Sequence, residues 1–442
     1  MNNAADIQRP RIAWWSPWPP SYSGVAEYSR MLVAHLRRLA EVRVFVEDAL
    51  APRVVEAFGE VPILPGSAFQ AEQQRSPFDV AVFHLGNQAG HAYMADALFS
   101  APCRRVGVFH DGSLYHLYEG ISRYRLIREI AAEEGGPAAW RAWRRLRQPG
   151  SDSYHHPLLR RAAGACDRII VHSQYLADRL RATAPHRPIA VIPYGCATWL
   201  DDGGLLQRQA RRIIGLPQDA LIFGVFGHIT AAKRVERVIE AFVQADLPGA
   251  WLYVVGEVTA LAPPTLRRWA GDSALCARHR IRFDARRRPA YLPSWAMAMH
   301  AVDAGVSLRF PTTGESSAVV SELLGMGKPC IVSDIGALAE LPDDCTIKVP
   351  VDDQEIAALQ AALRSLTTQP DRLAEMSRAA RAYAQKHTWD VTARMYLRAI
   401  WGRDQCLTAG SEASRDRNNE AVEGAFTDGG RCVATVGRRF RS

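Results

Sequence analysis

The segment Ser307–Gly336, SLRFPTTGESSAVVSELLGMGKPCIVSDIG, holds residue types suited to binding phosphate and hydroxyl groups. Its pattern predicts strand, loop, helix, tight turn, strand. Val319, Val320, Leu323 and Leu324 form the buried face of the helix, and Gly325 and Gly327 flank its end. Glu315, Ser316 and Ser317 are expected to open that helix. The backbone N–H groups at Gly314–Ala318 would then point out of the strand end, where an anion is favoured. Glu315 and Glu322 stand seven residues apart, nearly two helical turns, which predicts both carboxylates on one face. Ionised carboxylates are acceptors only, fit to take hydrogen bonds from sugar hydroxyls. The same residues also suit a plain capped helix, with Glu315 answering the dipole and Glu322 solvated.

A second cluster lies at Phe226–Arg234, FGHITAAKR, between a predicted strand and a helix expected over Lys233–Gln244. Lys233 carries a compact charge suited to phosphate, and His228 a weaker, pH-dependent one. The bland alternative is an exposed basic pair at a helix start. Near the N-terminus, Pro17–Glu27 (PWPPSYSGVAE) separates a strand from a helix. Gly24 there would allow close backbone approach or a positive φ. His84-Leu85-Gly86-Asn87 and Val108-Phe109-His110-Asp111 fall at carboxyl ends of predicted strands, so Asn87, His110 and Asp111 are placed for ligand contact. A lone histidine such as His110 is otherwise a satisfied core or capping residue.

Those clusters need a frame. Arg11–Ser16, Val42–Val46, Val80–His84, Arg105–His110, Asp167–His172 and Pro188–Pro193 are short apolar runs bounded by turn residues. They have the composition of strands buried on both faces. After a connector at Tyr194–Gly215, alternation restarts with Leu221–Ile229, Trp251–Glu257, Arg280–Asp284, Ala304–Leu308, Pro329–Ser333 and Cys345–Val349. The expected architecture is α/β, two doubly wound parallel-sheet domains facing across a cleft. The domains are expected at 1–200 and 201–387, with a helix over 388–403 crossing back to the first. The polar stretch 404–442 is expected to be disordered.

The combined motifs resemble the retaining nucleotide-sugar glycosyltransferases of family 4, which have the GT-B fold of two Rossmann-like halves. Glu322 and the continuation ELLGMGKPCIVSD match the second glutamate and the strand that follows it; Gly227 and Lys233 match the phosphate motif, with His228 where arginine is usual. The first glutamate is displaced by one position to Glu315. The segment instead follows a branch with R-x-P-T-x-G-E-(S/T)-S, which includes Arg309. Val171–Ser173, Val191–Gly195 and the helix around His387–Trp401 resemble further family elements, so the likeness spans roughly residues 10–402. It implies a sugar transferred from a nucleotide-diphosphate sugar with retention of configuration. No catalytic metal and no cofactor beyond that co-substrate are implied. It implies donor contacts from Gly24, Gly227, His228, Lys233, Arg309, Gly314, Ser316, Ser317, Ala318 and Glu322. Catalytic or sugar-orienting roles fall to His110 and Glu315, and sugar or acceptor positioning to Asn87 and Asp111. The acceptor expected is a carbohydrate, a lipid-linked sugar or a small molecule.

Composition bounds the partners. The 442 residues carry 54 Lys+Arg against 46 Asp+Glu, for +8, and only Lys233, Lys328, Lys348 and Lys386 are lysines. Arginine excess spread along a chain fits general composition bias, and nucleic acid is disfavoured as a partner. Trp140–Arg147, WRAWRRLR, is the exception. It suits an anionic membrane surface, a phosphorylated acceptor, or a solvated face whose tryptophans pack inward. The eight cysteines include no C-x-x-C pair and no zinc-ligand spacing, which fits a reducing compartment. With no secretory pattern at the N-terminus and no apolar run near 18 residues, the expected location is cytoplasmic, with or without contact to the inner membrane face. Two rival functions share the fold: a nucleotide-sugar epimerase, and a non-catalytic sugar-nucleotide or polyanion binder. A nicotinamide-dependent enzyme is disfavoured, since no G-x-G-x-x-G follows a strand.

Overall fold

A computed structural model describes residues 9–21, 23–52, 61–145, 154–199, 203–259, 262–285 and 293–401. Part of the Trp140–Arg147 stretch and the whole of 404–442 lie outside them, so the expectation of a disordered tail falls on residues not described.

The first half is a seven-stranded parallel sheet. Its strands are β1 (Arg11–Trp15), β2 (Glu41–Val46), β3 (Ile63–Pro65), β4 (Val80–Leu85), β5 (Arg104–Phe109), β6 (Arg168–Val171) and β7 (Ile189–Val191), in the order β3-β2-β1-β4-β5-β6-β7. Every residue of β1 and β4 is buried, which is why these strands are runs of apolar residues rather than alternations. The second half repeats the plan with six parallel strands: β8 (Leu221–Phe226), β9 (Ala250–Val255), β10 (Ile281–Asp284), β11 (Ala304–Ser307), β12 (Cys330–Ser333) and β13 (Thr346–Val349), ordered β10-β9-β8-β11-β12-β13. Both halves are Rossmann-like, and the α/β architecture is that of the GT-B fold.

The topology also fixes where a ligand can sit. Strand order reverses between β1 and β4 in one sheet and between β8 and β11 in the other. Helices leave opposite faces at such a point, and the loops at the strand carboxyl ends part to form a crevice. The loops after β1, β4, β8 and β11 are the ones that carry Gly24, Asn87, Lys233 and Glu315.

Several contacts join the halves. The Glu340 carboxylate of the second accepts hydrogen bonds from Gln174 N (2.7 Å) and Tyr175 N (2.5 Å), the first two positions of helix Gln174–Thr183. Gly112 lies so close to the second half that a Cβ there would stand 1.9 Å from Thr313 O. Helix Trp389–Trp401 returns over the first half: Tyr28 Oη donates to Tyr396 Oη at 2.7 Å, and the rings of Tyr28 and Trp389 meet edge to face at 5.3 Å.

Helix Gly136–Arg145 corrects one expectation. Ala138, Ala139 and Ala142 take its inward positions, so Trp140 and Trp143 are exposed (60% and 47%) instead of packed inward. The Arg144 guanidinium lies over the Trp140 ring, 4.8 Å from its centre. Among the described residues, no helix is long and apolar enough to cross a membrane.

Candidate active site

A cleft of ≈ 210 Å³ opens where the two halves face each other. Ser23, Gly24, Val25, Gln88, His91, His110, Asp111, His172 and Tyr194 line it from the first half, and Arg309, Glu315, Ser316 and Ala318 from the second. Seven residues singled out in the sequence are thus brought to one cavity: Gly24, His110, Asp111, Arg309, Glu315, Ser316 and Ala318. Gly24 opens helix Gly24–Leu36 under a Ser23 cap, but a Cβ on it would meet nothing within 4 Å and its φ is not positive, so neither the close approach nor the left-handed backbone expected of it is found.

The loop after β11 departs from the sequence expectation. Its helix spans Ala318–Gly325, with the Ser317 hydroxyl capping it by accepting from Val320 N at 3.3 Å. Glu315 therefore lies outside the helix and does not share a face with Glu322. Local hydrogen bonds draw it away: Glu315 Oε2 accepts from Thr312 Oγ1, Thr313 N and Thr313 Oγ1 at 2.8–3.0 Å, and Oε1 pairs with Arg309 Nη1 at 3.0 Å. Burial pushes the Glu315 pKa up, but Arg309 and these bonds outweigh it and hold the carboxyl below its ordinary value. Its oxygens are thus occupied in shaping the loop and steadying Arg309. Gly314 shapes the loop too, at φ +102°, a backbone region that favours glycine.

Lys233 and Glu322 sit beside this cavity, not among its lining residues. Lys233 ends a short 3₁₀ turn (Ala231–Lys233), and the helix after it runs Val235–Ala245, two residues later than expected because Arg234 adopts a left-handed φ of +49°. The ammonium donates to Phe226 O at 3.0 Å and tucks under Gly227, where a Cβ would stand 2.3 Å from Nζ. Desolvation, reinforced by the Arg309 charge and opposed by Glu315, lowers its pKa to about 7. Arg234, its neighbour, is no free exposed cation; it is bound through Nε to Glu355 Oε1 at 2.6 Å. His228 is half-buried in the same loop.

Glu322 accepts from Trp295 Nε1 at 2.9 Å. Burial raises its pKa to about 7; the Trp295 bond opposes that rise, while the charge of Glu27 on the facing half adds to it. Asn87, by contrast, turns away from the cleft: its Oδ1 accepts from His116 N at 2.8 Å, while its own N–H goes to Asp111 Oδ2 at 2.7 Å. It positions Asp111 instead of lining the cavity. Asp111 is raised to about 6, by burial first and then by Glu315, against the Asn87 hydrogen bond, Arg309 and His116.

His110 is a member of a chain of rings that sequence reasoning did not foresee. His84 Nδ1 lies 2.9 Å from His110 Nε2, His110 Nδ1 lies 3.2 Å from His172 Nε2, and His172 Nδ1 lies 3.0 Å from Ile192 O. Burial lowers all three, His172 to about 4 and the others well below 6.5, so the rings are neutral at ordinary pH. A carbonyl only accepts, so the hydrogen of His172 is on Nδ1. His110 must then donate from Nδ1 to His172 and accept on Nε2 from His84. Both nitrogens of His110 are occupied, and it offers the cleft a ring edge instead of a free nitrogen. His172 could have been found as a polar residue at a strand's carboxyl end. His91 lies on a short 3₁₀ turn, Ala89–Met94, which has no periodicity to reveal it.

Among the described residues, no three His, Cys, Asp or Glu groups are arranged to hold a metal ion. The charges near the cleft include the cations Lys233 and Arg309 and the carboxylates Asp111, Glu315 and Glu322, with Glu27 close enough to act on Glu322.

No family model matches the chain. A D-inositol 3-phosphate glycosyltransferase of Segniliparus rotundus is 27% identical over 234 residues, 51% of this chain and 50% of that one. The chain thus spans about half the length of the curated relatives it matches. Among solved structures, sucrose-phosphate synthase from Thermosynechococcus elongatus aligns with 89% of this chain and 100% of its own at TM-score 0.60 and 19% identity. HepE of Anabaena, in complex with UDP-glucose, aligns over the same shares at 0.61 and 16%. At these identities the structural likeness is one of fold, and it is the GT-B fold.

Proposed function

We propose that the protein is a retaining glycosyltransferase that moves a sugar from a nucleotide-diphosphate sugar to a hydroxyl acceptor without a catalytic metal. The observation that carries this reading is the grouping, at the switch point of the second half, of Lys233, Arg309 and a capped helix N-terminus that also bears the half-buried carboxylate of Glu322, beside a cleft whose other wall holds His110 and Asp111. Partial sequence likeness to an inositol phosphate glycosyltransferase supports it. A UDP-sugar is the first donor to try, since a neighbour of the same fold holds UDP-glucose.

Each group has a part in that chemistry. As the sugar leaves the diphosphate, negative charge grows on the departing phosphate oxygens. Lys233, Arg309 and the N–H groups at Ser316–Ala318 stabilise it from fixed positions, where little reorganisation is needed. Glu322, once ionised, accepts from the ribose hydroxyls. Glu315 holds Arg309 and the loop in register; His110 and Asp111 form the wall against which the sugar lies. The acceptor hydroxyl enters from the first half, on the face the diphosphate leaves; its oxygen bonds the sugar carbon as the carbon–phosphate-oxygen bond breaks, and its proton passes to the departing phosphate oxygen, which preserves configuration. The exposed face of Trp140, Arg141, Trp143 and Arg144 suits contact with anionic lipid around a lipid-linked acceptor.

The test is a panel of UDP-, GDP- and ADP-sugars scored by thermal shift and by release of nucleoside diphosphate with candidate acceptors. A true donor raises Tm by mass action. Sugar interconversion with donor alone would favour an epimerase instead, and binding without turnover across acceptors would leave a binding protein.

A further inference from the structure

His91 is buried to 1% exposure, yet its ring forms part of the cleft wall. Its Nδ1 lies 2.8 Å from the carbonyl oxygen of His84. Since that oxygen only accepts, the ring hydrogen is on Nδ1, and Nε2 is a bare lone pair. Burial lowers the ring's pKa to about 4, against the His84 bond, so this neutral tautomer persists through the physiological range. Among the described residues Nε2 has no hydrogen-bond partner. A buried acceptor left unmade is costly, so one that borders a cleft is a candidate to receive a donor from a ligand.

His84 makes the contrast. Its Nε2 is likewise unpartnered, but the ring is fully buried, packs 4.3 Å from Trp14, and is not part of the cleft lining. No ligand reaches it. At His91, the Asp111 carboxylate is close by: a Cβ on Gly86 would stand 3.0 Å from His91 Nε2 and 3.2 Å from Asp111 Oδ2, so both groups crowd against that one glycine. A nitrogen acceptor and a carboxylate therefore stand beside one another in the cleft wall, and a ligand hydroxyl supplies the donor that Nε2 lacks.

We propose that His91 is a specificity-determining residue whose Nε2 accepts a hydrogen bond from a sugar hydroxyl beside Asp111. The inference rests on the glycosyltransferase reading and deepens it, because it names a donor group the ligand must carry. The hydroxyl belongs either to the transferred sugar or to the acceptor, and the two sources separate experimentally.

The experiment uses the full chain with UDP-, GDP- and ADP-glucose, their monodeoxy analogues, and D-inositol 3-phosphate and glucose as acceptor probes. The key variant is His91→Asn, because an asparagine amide nitrogen reaches the Nδ1 position and keeps the bond to the His84 carbonyl while deleting the Nε2 acceptor. Wild type is expected to disfavour one monodeoxy analogue about tenfold in kcat/KM, the size of one neutral hydrogen bond. His91→Asn should lower kcat/KM about tenfold for the parent sugar and remove that discrimination, with nucleoside diphosphate affinity unchanged. Loss confined to donor hydrolysis without acceptor assigns the hydroxyl to the transferred sugar; loss confined to acceptor KM assigns it to the acceptor. In wild type, the ¹⁵N resonance of His91 Nε2 should move on adding the matching sugar and stay put with the bare nucleoside diphosphate, a readout that does not depend on the variant folding. Wild-type kinetics in His91→Asn with discrimination intact, or an unmoved Nε2 resonance at saturation, overturns the inference alone. A wild-type chain that binds none of the nucleotides removes the glycosyltransferase reading and this inference together.

Discussion

Replacing Glu322 by glutamine tests how the site treats charge. Folding raises the carboxyl from 4.5 to about 7, chiefly by burial. For an acid whose folded pKa is raised, the folded state holds the proton that the unfolded state has lost. Stability therefore falls as pH rises from about 4.5 to 7 and stays low above that window. A carboxyl raised from 4.5 to about 7 corresponds to about 3.4 kcal/mol at high pH. At pH 5 the linkage relation leaves only about 0.8 kcal/mol of that loss, so the change between pH 5 and pH 8 is about 2.5 kcal/mol. Glutamine keeps an acceptor for Trp295 Nε1 but carries no charge, so Glu322→Gln should escape the loss. Unfolding entropy near 2.1 cal/mol/K per residue amounts to about 0.9 kcal/mol/K for a chain of 442 residues. The variant's Tm advantage over wild type should thus grow by about 3 °C between pH 5 and pH 8, read by calorimetry in matched buffers. The same variant should lose most of the stabilisation conferred by a donor nucleotide. A Tm difference constant within 1 °C across that range would refute the argument that Glu322 is held against its charge.

The remaining predictions concern cations and closure. Lys233→Met should weaken donor binding between about tenfold and a hundredfold, the value of a charge-assisted hydrogen bond. Because the free ammonium is lowered to about 7, donor binding by wild type should take up a proton increasingly above pH 7; titration calorimetry in buffers of different ionisation enthalpy reads this, and the variant should abolish it. Gly112→Ala puts a Cβ 1.9 Å from Thr313 O, so the halves cannot close as they do here. It should lower kcat/KM at least about tenfold, with Tm moving by no more than a few degrees because each half keeps its own core. Glu340→Ala removes the acceptor for Gln174 N and Tyr175 N; small-angle scattering should show a more open chain, and KM for the donor should rise.

The frame was largely legible in the sequence because a strand buried on both faces is recorded locally, as a short apolar run between turn residues. There are twelve such runs, and each overlaps a strand to within a few residues at its ends. The edge strand Ile63–Pro65 was missed, since three residues at a sheet margin carry no such run. Helix starts were less legible. Glutamate and serine types at 315–317 all suit an N-terminus, and only the bonds that Thr312, Thr313 and Arg309 make together to the Glu315 carboxylate, with Ser317 left to cap, decide that the helix begins at Ala318.

Residue order along the chain is enough to dictate the alternation of elements, hence two parallel sheets with switch points, and to place Lys233, Arg309 and Glu322 on loops or helices that follow strand carboxyl ends. Those follow from periodicity and local turn chemistry. Tertiary structure alone decided what each group can do. His84, His110 and His172 are far apart in the chain, and their hydrogens are assigned only because the Ile192 carbonyl ends their sequence of bonds. The Glu322 charge is disfavoured only because it is desolvated, and the charge of Glu27 on the opposite half adds to that. Protonation state and hydrogen-bond capacity depend on what surrounds a group in space, and no local pattern of residues encodes those surroundings.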